Sequence, residues 1–184
     1  MKAVRFAAGL VLASLVAGAA AAEGHDAHMN HMDPMNHRDH GVQADAPLAA
    51  HVRAANGRFV KFDAAALKAE GYGPIPCTSS IDGGAMGVHF VNPKYLADEQ
   101  PSLEHPQAVM YEPQADGSMK LIGVEYISLK GPAVSLENQL FAFQGSPNRY
   151  GLPAFYELHV WAWKQNPKGV FTDFNPTVTC ANAR

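Results

Sequence analysis

The segment of residues 155–164, Phe-Tyr-Glu-Leu-His-Val-Trp-Ala-Trp-Lys, constrains the fold more than any other part of the sequence. Aromatic and β-branched residues dominate it and suit a pleated surface, and Pro153 and Pro167 bound it. Alternation gives one apolar face and one mixed face, the latter carrying Glu157, His159, Trp161 and Trp163. We predict a central strand whose mixed face buries polar groups that need partners.

The N-terminus has the pattern of a secretory signal peptide. Lys2 and Arg5 precede an apolar run, residues 6–22, that ends in small residues. This pattern predicts a signal peptide over residues 1–22, with cleavage before Glu23. An uncleaved membrane anchor is the alternative, which the Ala and Gly content disfavours. We therefore expect a periplasmic or secreted protein that has no membrane association after cleavage.

Length and charge narrow the class of the exported protein. Without the signal peptide, 162 of the 184 residues remain, which is about one domain. Removing Lys2 and Arg5 from the 14 basic residues leaves 12 against 17 acidic residues, a net charge of −5. A net negative charge argues against a nucleic-acid partner.

Residues 23–45 are rich in histidine and methionine. Apolar periodicity is lacking, so we predict a flexible arm. Its imidazole and thioether groups are metal ligands, and thioether favours Cu(I), which makes copper the expected metal. A polar tail with no selected metal is the alternative. The candidate ligands are His25, His28, Met29, His31, Met32, Met35, His37 and His40.

The two cysteines, Cys77 and Cys180, lie near the beginning and the end of the predicted domain, residues 46–184. In an exported chain two cysteines favour a disulfide. A pair of thiolate metal ligands is the alternative, although the two residues lack the close spacing typical of thiolate sites.

Element patterns in the domain predict an α+β fold. Pro47 begins one helix, and Asp63 and Gly71 cap a second one. An Asp-Gly turn at residues 116–117 predicts a hairpin. Because helices and strands do not alternate, we expect an antiparallel β-sheet or small β-barrel with one or two N-terminal helices. Besides the strand in residues 155–164, strands are predicted at 86–92, 108–112, 119–129 and 139–143.

Three polar side chains on separate predicted strands are candidate metal ligands: His89, Glu125 and His159. Two imidazoles and a carboxylate form open sites for zinc or non-haem iron. Phe155, Trp161 and Trp163 would supply an apolar wall, and Glu112 and Glu157 are lesser candidates.

Structural roles are the alternative for the same residues. His159 would then pair with Glu125 or Glu157, and His89 with a backbone carbonyl. The Trp161 and Trp163 face would in that case serve as a structural or interaction surface.

Several short motifs resemble a family of uncharacterised secreted bacterial single-domain proteins. The resemblance covers most of the chain beyond the arm, and it implies an exported single domain without indicating a reaction. The motifs are Glu70-Gly71-Tyr72, Met86-Gly87-Val88-His89, Gly123-Val124-Glu125-Tyr126, Leu158-His159-Val160-Trp161, Asn166-Pro167-Lys168-Gly169 and Asn175-Pro176-Thr177-Val178-Thr179-Cys180.

Together these patterns predict an exported metal-binding protein. Copper is the expected metal for the arm, and a second site is expected at His89, Glu125 and His159, where zinc or iron would also fit. A metal-dependent enzyme that uses the same three residues is the alternative. Substrate, metal identity and oligomeric state do not follow from the sequence.

Overall fold

The computed structural model describes residues 46–98, 101–131 and 134–183. The predicted signal peptide and the His/Met-rich arm lie outside these residues, so both remain predictions. Among the residues that are described, no helix has the length and apolar character needed to cross a membrane.

Both predicted N-terminal helices are present. Helix α1 is Pro47–Ala55, with its proline in the first turn. Helix α2 is Ala64–Glu70, and the Asp63 carboxylate accepts hydrogen bonds from the first backbone N–H groups of that helix. Gly71 ends α2 at a φ of 98°, a left-handed conformation that glycine adopts without a Cβ clash. A one-turn helix, α3, follows at Pro93–Leu96.

An antiparallel sheet forms the body of the domain. Its path runs β1-β3-β4-β5-β9-β8, and β2 also pairs with β3. Strands β6 and β7 form a separate ribbon. The strands in the described ranges are β1 Gly73–Pro74, β2 Thr78–Ser79, β3 Ala85–Val91, β4 Ala108–Pro113, β5 Met119–Ser128, β6 Ser135–Leu136, β7 Gln139–Leu140, β8 Ala142–Gln144 and β9 Phe155–Val160.

The predicted α+β class is confirmed, with an open antiparallel sheet. The barrel alternative is wrong, because the described sheet ends in two very short strands, β1 and β8, that do not pair with each other. The prediction of a central strand at 155–164 also needs correction. Strand β9 lies next to the edge of the sheet and ends at Val160, after which the Trp161 N–H bonds to the carbonyl of Val170.

The predicted strand at 139–143 is divided between two sheets. Gln139 and Leu140 pair with β6, whereas Ala142 and Phe143 pair with β9. Glu137 and Asn138 between β6 and β7 have φ values of 46° and 67°, which make a tight reversal of the chain.

The two faces of the sheet differ in what covers them. One face carries Tyr111 and Phe90 and packs against the helical segment, where the Tyr111 hydroxyl donates to the Phe59 carbonyl at 2.8 Å. Phe62 forms edge-to-face contacts with Phe90 and Tyr111. This face is the apolar core. The opposite face carries the polar candidates His89, Glu125 and His159.

The predicted disulfide between Cys77 and Cys180 is present and spans 103 positions of the sequence. It ties the segment before β3 to the C-terminal segment that follows the sheet. The thiolate-ligand alternative is therefore wrong, because both sulfur atoms are used in the covalent bond.

Candidate metal centre

The three predicted ligands lie on one face of the sheet because of its register. Glu125 on β5 is directly opposite His159 on β9, and directly opposite Ala108 on β4. His89 on β3 is opposite Met110, two residues along β4 from Ala108. Residues two apart on a strand share a face, so the imidazole of His89 and the carboxylate of Glu125 meet above β4.

The ligand atoms of His89, Glu125 and His159 all lie within 4.8 Å of one another. One oxygen, Oε2 of Glu125, faces both imidazoles, at 3.3 Å from Nε2 of His89 and 3.6 Å from Nε2 of His159. The three side chains are 0% exposed. The convergence that the sequence predicted is therefore present, in a site closed to solvent.

The spacing of these atoms suits a shared cation. Ligands placed 2.0–2.2 Å from a metal in tetrahedral geometry lie about 3.4 Å from each other. The two measured nitrogen-to-oxygen distances, 3.3 Å and 3.6 Å, bracket that value. The donor set of two nitrogens and one oxygen matches zinc, iron and copper sites.

Two residues of the 145–153 connection complete the centre. The Arg149 Nη2 atom donates to Oε1 of Glu125 at 2.7 Å and to Oε2 of Glu157 at 2.8 Å. The Tyr150 hydroxyl donates to Oε2 of Glu125. The connection thus lies over this part of the sheet, and it contributes a cation and a phenol to the site.

Asp173 contacts the far side of the His159 ring. Its Oδ1 atom lies 3.4 Å from Nδ1 of His159. A carboxylate on one ring nitrogen orients an imidazole and favours presenting the other nitrogen to a metal. Asp173, Glu157 and His159 also form a second group within metal-ligand distance of one another.

Electrostatics keep Glu125 ionised although it is buried. Burial alone would favour the neutral acid, but the charges of His159 and Arg149 together with the contact to His89 hold the pKa of this carboxyl well below its usual range. Burial lowers the pKa of His89, which keeps that imidazole neutral near pH 7. A neutral imidazole beside an ionised carboxylate is the form that binds a metal.

The other two titrating groups of the sheet respond to the same charges. Burial acts against a charged His159, but Glu125 and the contact to Asp173 raise the pKa of His159. Burial and the nearby Glu125 raise the pKa of Glu157 to about 8. Glu157 is therefore mostly protonated near pH 7, and Glu125 and Asp173 are the carboxylates of the cluster that stay ionised.

Unpaired polar atoms are concentrated in this centre. In the described part of the chain, the buried side-chain nitrogen and oxygen atoms without a hydrogen-bond partner are Nδ1 and Nε2 of His89, Nε of Arg149 and Nδ1 of His159. An unpaired buried polar group costs about 1–3 kcal/mol. Such groups in one cluster call for an explanation, and a cation on Nε2 of His89 would supply one for that atom. The residues present therefore fit a metal.

Of the structural pairings that the sequence suggested for the two histidines, only one is present. His159 does approach Glu125, but a backbone carbonyl partner for His89 is not found among the described residues. The lesser candidate Glu157 belongs to the site, whereas Glu112 forms an ion pair with Lys164 at 2.8 Å.

The three residues predicted to form an apolar wall beside the site do not all lie there. Phe155 contacts the Tyr150 ring, with ring centroids 5.7 Å apart. Trp161 belongs to the hydrophobic core, and Trp163 packs against that core. Trp161 is 1% exposed, so it does not provide an interaction surface. The surface alternative therefore loses one of its two tryptophans.

Sequence reasoning missed Arg149, Tyr150 and Asp173. One signal was available, because Arg149 is the only basic residue between Lys130 and Lys164 in the sequence. A lone cation near a strand that carries Glu157 is a natural partner for buried carboxylates. Tyr150 and Asp173 carry no comparable signal.

Comparison of the chain with protein-family models, with curated proteins and with solved structures found no match.

Proposed function

We propose that this protein binds a transition-metal ion at His89, Glu125 and His159. The observation that carries the proposal is the buried convergence of two imidazoles and one carboxylate, with Nδ1 of His89 lacking a hydrogen-bond partner. The Arg149 guanidinium and the Asp173 carboxylate hold the flanking atoms of Glu125 and His159. They leave one oxygen and the inward imidazole nitrogens for the ion.

Copper is the metal that we propose, in an exported protein. Support comes from the composition of residues 25–40, where methionines are interleaved among histidines, and from the signal-like N-terminus. The disulfide is compatible with an oxidising compartment. The arm would collect copper by its soft ligands, while the domain would hold an ion tightly in a closed site.

Three protein forms test the proposal by titration with Cu(I), Cu(II) and Zn(II). They are the chain from residue 23, a form without residues 23–41, and the same shortened form with His89→Ala and His159→Ala. We expect the shortened form to bind one ion and the double variant to bind none. The longer chain should bind additional Cu(I) through its arm.

His51→Ala is the matched control, because His51 is an exposed histidine that pairs with Glu137 at the surface. It should leave the stoichiometry and affinity unchanged. Equal Cu(I) binding with and without residues 23–41 would remove the arm from the mechanism. Equal binding by the double variant and its parent would remove the domain site.

A metal-dependent enzyme is the second candidate, and a cavity next to the centre favours it. The cavity has a volume of about 410 Å³, and Arg149 and Asp173 both line it. These residues contact Glu125 and His159, so a small polar molecule in the cavity would lie near the ion. A bound ion there would supply a Lewis acid and a hydroxide nucleophile near neutral pH.

Elemental analysis of the shortened form separates the two candidates. Iron or zinc that co-purifies and resists dialysis would favour an enzyme with a resident metal. A domain purified without metal that takes up copper on addition would favour a binding protein.

A further inference from the structure

The Tyr150 hydroxyl and the two imidazoles converge on one oxygen atom. The hydroxyl donates to Oε2 of Glu125, the same oxygen that faces Nε2 of His89 at 3.3 Å and Nε2 of His159 at 3.6 Å. Three side chains from different segments therefore converge on one atom. That atom is also the carboxylate oxygen closest to the position that a shared cation would occupy.

The three rings are arranged around this oxygen. The His89 ring is perpendicular to that of His159, with centroids 5.9 Å apart, and nearly perpendicular to that of Tyr150, with centroids 6.3 Å apart. Such an arrangement lets ring edges, where the donor atoms lie, converge without the ring faces blocking them.

Tyr150 is held in place by its own loop. Asn148 Oδ1 accepts hydrogen bonds from the backbone N–H groups of Tyr150 and Leu152, each at 3.2 Å. Asn148 Nδ2 donates to the Leu152 carbonyl at 2.8 Å. The Arg149 guanidinium lies 4.5 Å from the centroid of the Tyr150 ring. The position of the hydroxyl is therefore built into the fold, since backbone and ring are both fixed.

We propose that Tyr150 is a fourth ligand of this metal centre and binds the ion as a phenolate. The proposal rests on the proposed function, since it concerns the same ion, and it deepens that function by specifying which oxidation states the site prefers. An anionic oxygen added to two imidazoles and a carboxylate favours an oxidised ion, namely Cu(II) or Fe(III), over soft Cu(I).

When the ion binds in this mode, it replaces the proton of the Tyr150 hydroxyl. The phenol O–H bond breaks, the proton passes to the solvent, and a metal–oxygen bond forms, with no change in oxidation state. A bound cation reverses the balance that keeps a buried phenol protonated.

Visible absorption spectroscopy tests the proposal, because a phenolate bound to Cu(II) or Fe(III) gives a charge-transfer band in the visible range. The full chain and its Tyr150→Phe, Tyr111→Phe and His89→Ala variants are titrated with Cu(II) and, separately, with Fe(III) as its citrate complex. Subtracting the His89→Ala spectrum removes any contribution of ions bound elsewhere. We expect the band in the wild-type protein, its loss in Tyr150→Phe, and its retention in Tyr111→Phe, a buried tyrosine outside the centre whose hydroxyl donates to Phe59.

Failure of this proposal is distinguishable from failure of the proposed function. If the wild-type protein binds an ion that the His89→Ala variant does not bind, but shows no charge-transfer band, the metal site stands and the phenolate ligand is overturned. A band that persists in Tyr150→Phe overturns it as well. If neither Cu(II) nor Fe(III) binds in a way that depends on His89, both proposals fail for these ions.

Resonance Raman spectroscopy of the wild-type protein covers the case in which Tyr150→Phe does not fold. Excitation in the band should enhance phenolate ring modes that shift when the protein is produced with ring-deuterated tyrosine. The absence of such modes would overturn the proposal without any variant.

Discussion

The Oδ1 atom of Asp173 lies 3.4 Å from Nδ1 of His159, while the other ring nitrogen of His159 faces Glu125 at 3.6 Å. The imidazole is therefore placed between two carboxylates on opposite sides of its ring. The contact with His159 also lowers the pKa of Asp173, so this carboxylate is ionised near neutral pH. In the proposed metal centre Asp173 would be a positioning residue, since it contacts the ligand His159 and not the ion.

Replacing Asp173 by alanine should weaken metal binding by about 10–100-fold, as is typical for the loss of a group that orients a ligand. The reason is that His159 loses the contact that fixes its ring. The measurement is a competition titration against a chelator of known affinity. Asp82→Ala, at an exposed turn, is the control and should have no effect. An unchanged affinity in Asp173→Ala would show that the contact does not support the site.

Removing the Arg149 guanidinium should destabilise the metal-free protein by about 3–5 kcal/mol, which is the usual cost of removing one partner of a buried ion pair. Arg149→Gln would leave Glu125 and Glu157 close together without a cation between them. Urea unfolding measures the change. Lys120→Gln, an exposed position on the strand that carries Glu125, should change the free energy of unfolding by less than about 0.5 kcal/mol. Similar values for the two variants would contradict the assigned ion pairs.

Gly87 is required by the backbone of β3. Its φ is 86°, and a Cβ atom there would lie 2.5 Å from the carbonyl oxygen of Tyr111. Gly87→Ala should destabilise the fold by about 1–3 kcal/mol from conformational strain, with a further cost from the clash. Gly57→Ala is the control, because Gly57 has no atom within 4 Å of its Cβ position. Thermal unfolding compares the two, and equal stability would contradict this backbone geometry.

The disulfide should contribute about 4–5 kcal/mol, since it closes a loop of 103 positions. The double variant Cys77→Ala and Cys180→Ala is expected to unfold at a correspondingly lower urea concentration. Reduction of the wild-type protein should give the same shift, which controls for the packing of the new alanines. A loss smaller than about 1 kcal/mol in both experiments would show that the loop is already restricted in the unfolded chain.

Burial raises the pKa values of Tyr72, Tyr111 and Tyr126 above the ordinary 10.0. In the unfolded chain these phenols ionise near pH 10, so above that pH the native state binds more protons and its stability falls. The expected slope is about 1.4 kcal/mol per pH unit for each phenol, and below pH 9 the contribution is constant. Absorbance at the tyrosinate band and unfolding curves from pH 8 to 12 measure this. If all six tyrosines ionise near pH 10 while the fold persists, the assigned burial is wrong.

Local patterns predicted much of the fold. The caps of α2, the hairpin of β4 and β5, and the alternation of β9 depend on residues close together in the chain, so they are readable from the sequence. The disulfide followed from the count of two cysteines. The ligand types were readable too, because His89 and Glu125 are polar residues in otherwise apolar strands.

The sequence by itself determined which side chains needed a partner, whereas the tertiary structure decided which partners they have. Sheet register brought Glu125 opposite His159, and the path of the 145–153 connection placed Arg149 and Tyr150 over them. Apart from the isolated charge of Arg149, these contacts are not readable from local sequence, because contact between distant residues depends on strand order and loop course rather than on neighbouring side chains. The position of β9 near the sheet edge was hidden for the same reason: alternation fixes the faces of a strand but not its neighbours.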